Sequence, residues 1–136
     1  MNSKKILCCV VALSSMLASC KNDDDQDSSQ SLVGKWKVTS LEYYQCTGTT
    51  ANSVRTCGTF AFCATWEFKT DGTTTIVYDG GGTATSTYTI YPGNSVGICA
   101  STCSNMTYAI TGTKLVLSTV SPAGNDCLHR YTFEKM

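Results

Sequence analysis

The chain has 136 residues, ten basic against ten acidic, one His and nine Cys, which is one domain's worth of sequence. Charged residues make up 15%, against about 25% in an average soluble domain, and 21 Thr with 11 Gly favour strands and turns over a helical bundle. Zero net charge argues against a nucleic-acid partner, because phosphates need a basic face, and a single His leaves little for a His-ligated metal or a His-based relay.

Lys4 and Lys5 open the chain, and Ile6 to Leu17 is an apolar run. It is too short to cross a bilayer, which takes about 20 apolar residues, and has the length of a signal-peptide core. The run ends in Leu17-Ala18-Ser19-Cys20. Small residues before a Cys resemble the lipobox of bacterial lipoproteins. The resemblance implies that residues 1–19 are a lipoprotein signal peptide, that the Cys20 thiol receives diacylglycerol, and that the new amine receives a fatty acyl chain such as palmitate. At about 0.8 kcal/mol per buried CH₂, three chains hold a protein on its membrane permanently. Residues 21–31 contain no apolar side chain, so 20–31 is expected to be a lipidated Cys on a disordered acidic tether. A Cys followed by Lys21 and an acidic cluster resembles the export signal of surface lipoproteins in some Gram-negative bacteria. That implies the outer membrane, at the cell surface or otherwise on its periplasmic face.

From Leu32 to Met136 the chain reads as short strands. The first runs from Gly34 to Gln45. In residues 60–69 the even positions carry Phe60, Phe62, Trp66 and Phe68 and the odd ones Thr65, Glu67 and Lys69, the period of a strand with one dry face. Asp71-Gly72 is a hairpin signal. Thr73–Asp79 is its partner, broken by Gly80-Gly81-Gly82. Thr83–Tyr91 stops at Pro92-Gly93-Asn94. A weak strand covers Ser95–Ala100, followed by Met106–Thr111, a turn at Gly112-Thr113, Lys114–Val120, a break at 122–125, and Leu128–Lys135. Short connections predict an all-β antiparallel up-and-down meander. Eight strands can close into a barrel and remove their edges; the alternative is a seven-stranded β-sandwich.

Gly34-Lys35-Trp36-Lys37-Val38 resembles the Gly-x-Trp opening of lipocalins and of the lipocalin-like domains of bacterial lipoproteins. Residues 66–73 and 108–117 resemble hairpins of the lipocalin-like group in the same order and spacing. The resemblance implies an eight-stranded lipocalin-like barrel over 32–136, with Trp36 plugging the closed end. Lipocalins place an Arg over that Trp late in the chain. The late Arg here, Arg130, falls at the other end, and Lys135 is the residue able to stand in.

Six cysteines belong to the domain: Cys46, Cys57, Cys63, Cys99, Cys103 and Cys127. In an exported domain they read as three disulfides. No C-x-x-C pair and no second His accompany them, so no metal is expected. Following the strands up and down puts all six near one end, opposite Trp36. Closure of a barrel pairs its first and last strands, which brings Cys46 near Cys127. The bridges would hold the mouth loops, Thr47–Thr56 above all, in one shape.

Expected interior residues are Trp36, Val38, Phe60, Phe62, Trp66, Phe68, Ile76, Tyr78, Tyr88, Ile90, Tyr108, Ile110, Leu115, Leu117, Tyr131 and Phe133. So many aromatics favour a barrel filled by its own side chains. If it holds a cavity, the upper wall would use Phe60, Phe62, Tyr78 and Tyr88, and a ligand there would be small and mostly apolar. No Ser elbow, Gly-rich phosphate loop or paired carboxylates appear, so neither an enzyme nor a cofactor is expected. The leading expectation is a membrane-anchored module binding a small hydrophobic ligand. The alternative is a cell-surface structural or interaction module, gripping a protein or glycan through its stapled loops with one of Tyr43 and Tyr44 together with Arg55.

Overall fold

The structure, a computed structural model, describes residues 31–58, 63–122 and 127–136. These residues form nine strands and no helix: β1 (Gly34–Tyr44), β2 (Ser53–Thr56), β3 (Ala64–Phe68), β4 (Thr73–Tyr78), β5 (Thr83–Tyr91), β6 (Ser95–Cys99), β7 (Cys103–Thr111), β8 (Lys114–Thr119) and β9 (Leu128–Lys135). Every pairing is antiparallel: β1 pairs with both β2 and β3, β3 to β9 pair each with the next, and β1 also pairs with β9 from Trp36↔Lys135 to Tyr44↔Leu128. That closes an up-and-down barrel of eight strands, matching the lipocalin-like expectation, with β2 as an addition. A seven-stranded sandwich is excluded, because closure leaves no second sheet.

The weak strand expected over Ser95–Ala100 is present as β6, paired on both sides. Other details depart from the sequence reading. β7 begins at Cys103 rather than Met106. The strand through Trp66 is described from Ala64 to Phe68, and Phe60 and Phe62 lie outside the described residues. Ser53–Thr56, expected inside a loop, is strand β2. One edge of β1 is therefore shared: Gly34–Lys37 pair with β3 and Ser40–Tyr43 with β2. The change of partner occurs at a β-bulge between Val38 and Ser40, opposite β9. The spare residue, Thr39, accepts the Cys57 amide on its carbonyl at 2.9 Å and donates its hydroxyl to the Thr132 carbonyl at 3.1 Å. A bulge inserts one residue and so reverses the alternation beyond it. This is why Trp36 and Val38 are buried on even numbers while Leu41 is buried on an odd one.

The lower half of the barrel is solid. Leu32, Trp36, Val38, Phe68, Leu115, Leu117 and Phe133 are fully or almost fully buried in one cluster. The chain enters there: Leu32 tucks beneath the strands, and the Trp36 indole N–H donates to its carbonyl at 2.8 Å. Buried in this way, an indole needs such a partner. Lys135 sets its Nζ 5.5 Å from the centre of the Trp36 ring, a cation–π contact. The floor turn between β3 and β4 is fixed by Asp71, which accepts both the Thr73 amide (2.9 Å) and the Thr73 hydroxyl (2.6 Å). Gly72 follows at φ +80°, a conformation that disfavours any side chain. Those two hydrogen bonds hold the Asp71 carboxyl below its ordinary pKa.

Candidate functional site

The upper half is built differently. Inward positions there are small or absent on one side: Ala84 and Ser86 on β5, Ser104 on β7. Between them and the larger Trp66, Ile76, Ile98 and Met106 lies a cavity of about 280 Å³, with Tyr78, Thr85, Ala100 and Thr102 at its margin. The cavity opens where the wall parts. β5 pairs with β6 only from Tyr91↔Ser95 up to Thr87↔Cys99, so residues 83–86 stand beside the β6–β7 turn without a ladder to it. Ala100 and Thr102, from that turn, form the opposite lip.

All of the lining side chains are uncharged. The Ser86 and Ser104 hydroxyls, on inward positions, make no hydrogen bond to the described protein, while Trp66, Ile76, Ile98 and Met106 supply an apolar wall. Below this wall Thr74, paired with Ser86 across β4 and β5, is fully buried, and its hydroxyl finds no partner among the described residues. Behind Trp66 a run of rings continues: Tyr131 at 5.9 Å and Phe133 at 5.4 Å between centroids, then His129 against Tyr131 at 6.4 Å and Tyr43 against His129 at 4.8 Å. Burial raises the Tyr131 pKa, with the nearby Tyr43 and Tyr78 adding to it, so its phenol stays neutral. Burial also holds the His129 pKa below 6.5. Arg55 lies 5.1 Å from the Tyr43 ring centre.

The three disulfides ring this end. Cys46 pairs with Cys127, Cys57 with Cys63, and Cys99 with Cys103. The first ties the top of β1 to the start of β9. The second lies at the upper end of β3, where the Asp79 amide donates to the Cys63 carbonyl. The third is a cross-strand pair that clips the β6–β7 turn forming one lip of the cavity.

The named candidates separate as follows. Tyr78 is at the rim, 38% exposed, and borders the cavity. Tyr88 does not belong to the upper wall, and this corrects the sequence expectation. β5 descends from Thr83, so its sixth residue is already near the floor. There the Tyr88 amide donates to the Gly72 carbonyl at 2.7 Å, its phenol donates to the Lys69 carbonyl at 2.6 Å, and its ring meets Phe68 edge-on at 5.2 Å. Ile90, also expected inside, is 48% exposed beyond the floor. Tyr43 and Tyr44 do take opposite faces: Tyr43 meets His129 and Arg55, whereas Tyr44 lies under Arg130, 4.3 Å away, which also pairs with Glu42 at 2.8 Å. Phe60, Phe62 and Cys20 lie outside the described residues. Ala84, Ser86, Ile98, Ser104 and Met106 were missed as cavity residues. For Ala84, Ser86 and Ser104 the signal is small side chains at inward parity on β5 and β7; Ile98 and Met106 carry none that separates them from ordinary core residues.

Among the described residues no group of three His, Cys, Asp or Glu stands together as a metal site. Comparison with known proteins returns no match: no family model, no curated protein and no solved structure resembles the chain closely enough to count.

Proposed function

We propose that the chain is an exported, lipid-anchored binding module of the lipocalin-like group, and that its barrel takes a small, mostly apolar molecule into the upper cavity. The observation that carries this reading is the contrast within one barrel. A packed floor receives the incoming chain, and a cavity of about 280 Å³ opens at the other end. The sequence supports the anchor: Lys4, Lys5, the apolar run to Leu17 and Leu17-Ala18-Ser19-Cys20 give Cys20 the setting of a lipidated residue. The tether from Cys20 to Ser31 reaches about 40 Å at full extension. Entering at the floor, it lets the mouth face away from an outer membrane, towards the cell exterior or the periplasm. An apolar ligand entering there is stabilised by about 25 cal/mol for each Å² of apolar surface it buries.

Two experiments test this. Replacing Cys20 with Ala should move the protein from the membrane fraction to the soluble one; retention on membranes would remove the anchor. Native mass spectrometry of the protein from an oxidising periplasm, before and after denaturation, should show extra mass that leaves on denaturation. A bare protein that also fails to take up small apolar molecules from a panel would remove the binding reading.

A further inference from the structure

Resting on the reading of the upper cavity as a binding site, we infer that its ligand is an uncharged, flat molecule of about two fused rings. We further infer that it carries a hydroxyl or carbonyl oxygen read by Ser86 and Ser104. Size comes first. A cavity of about 150 Å³ lined by apolar side chains holds one benzene, and this one measures about 280 Å³, a little under twice that. Charge comes second. None of the lining side chains is ionisable near neutral pH, and Lys37, Arg130 and Arg55 are engaged elsewhere: Lys37 with Asp79, Arg130 with Glu42 and Tyr44, Arg55 over Tyr43. A carboxylate held against Trp66, Ile76 and Ile98 would give up part of its water and gain no counter-charge, which disfavours fatty acids and other anions there.

Polarity comes third. The hydroxyls of Ser86 and Ser104 face inward from β5 and β7, on either side of the β6 segment that carries Ile98, and neither is used by the described protein. Trp66 and Ile98 offer flat and branched apolar surface beside them. An apolar molecule with no polar atom would cover the half-buried Ser86 hydroxyl, and in part the more exposed Ser104 hydroxyl, without offering either a partner. A molecule with one donor or acceptor at its edge satisfies at least one of them, and this difference is the discrimination the site provides. The Cys99–Cys103 bridge keeps the opposite lip in place, so little ordering is lost on binding.

The test uses the lipidated full chain in phosphatidylcholine vesicles and three probes, 2-naphthol, naphthalene and 2-naphthoate, in equilibrium dialysis. An Ala84→Trp variant, whose indole fills the cavity, reports partition into lipid. We expect 2-naphthol to bind saturably, at least about tenfold tighter than 2-naphthoate. In the double variant Ser86→Ala/Ser104→Ala, 2-naphthol should weaken about fivefold while naphthalene is unchanged. Binding of 2-naphthoate as tight as that of 2-naphthol overturns the inference and leaves the cavity reading standing, as does equal weakening of naphthol and naphthalene in the serine variant. If none of the three probes binds saturably above Ala84→Trp, the cavity reading falls and the inference falls with it. Should Ala84→Trp fail to fold, saturation of wild type and the serine variant decides the same questions.

Discussion

The floor and the mouth of this barrel are held by different forces. At the floor Trp36, Phe68, Leu115 and Phe133 exclude water completely, and none of the three disulfides is found there. At the mouth the interior is open, and Cys46–Cys127, Cys57–Cys63 and Cys99–Cys103 supply what packing does not. A cavity gives up the transfer free energy and dispersion contacts that filling would provide. Covalent links stabilise from the other side, by limiting the unfolded chain, and so leave the space free. Stability and binding should therefore be separable by mutation, which either end can test.

The largest expected effect is at the mouth. Cys46 and Cys127 are 81 residues apart in sequence, against 6 for Cys57–Cys63 and 4 for Cys99–Cys103. In the chain-entropy model these loops correspond to about 4.5, 2.2 and 1.9 kcal/mol. Cys46→Ala/Cys127→Ala should lower unfolding free energy in urea about twice as much as Cys99→Ala/Cys103→Ala. The second variant should lose more ligand affinity for each unit of stability lost, because its bridge clips a lip of the cavity. Equal losses of stability would mean that loop length is not what these bridges act through.

Next comes Trp36→Ala at the floor, with an expected cost of about 3–5 kcal/mol. It also deletes the hydrogen bond to the Leu32 carbonyl and the contact with Lys135. Urea unfolding measures the loss. The fraction that stays folded should keep its affinity for apolar probes, since Trp36 does not line the cavity. A floor variant that abolished binding while folded would break the division of labour between the two ends.

Much of the floor was legible in the sequence because its signals are local. The alternation that ends in Phe68, the Asp71-Gly72 turn and the Gly34-Lys35-Trp36 opening each act within a few residues. The mouth depends on longer relations. β2 carries Ser53, Val54, Arg55 and Thr56, all exposed, so no dry face announces it; it exists because β1 runs past the top of β3 and offers a free edge. The bulge at Thr39 reverses parity in the middle of a regular-looking strand. The height of Tyr88 follows from where β5 meets its neighbours, and the cavity from the summed volumes of side chains on several strands. None of these has a single-segment signature, although Ala84, Ser86 and Ser104 did carry a readable one.

A smaller effect, of opposite sign, is expected between the two ends. The Thr74 hydroxyl is buried beneath the cavity without a partner among the described residues, a state that costs about 1–3 kcal/mol. Thr74→Val keeps the shape and the β-branch and removes the orphan oxygen. It should raise stability by about 1 kcal/mol, read as an upward shift of the urea midpoint at constant slope. A destabilised variant would show that the hydroxyl is satisfied in solution by water drawn from the cavity above.

The smallest effect is a pH dependence at the mouth. His129 is packed against Tyr43 and Tyr131, and burial lowers its pKa from 6.5. Its neutral form is the one the fold prefers. The unfolded chain therefore takes up a proton first as pH falls below 6.5, while the folded chain does so only at lower pH. In that interval the unfolded state binds more protons, so stability rises with pH. The contribution of His129 is fully present above 6.5 and is lost as pH falls through its folded value. Asp71 also has a lowered pKa, but from 3.8, so its loss comes at more acid pH and at the floor. Unfolding midpoints measured from pH 8 to pH 5 should decline below 6.5 in the wild type and stay flatter in His129→Gln. If both proteins follow the same curve through that range, the protonation of His129 plays no part in the stability of the fold.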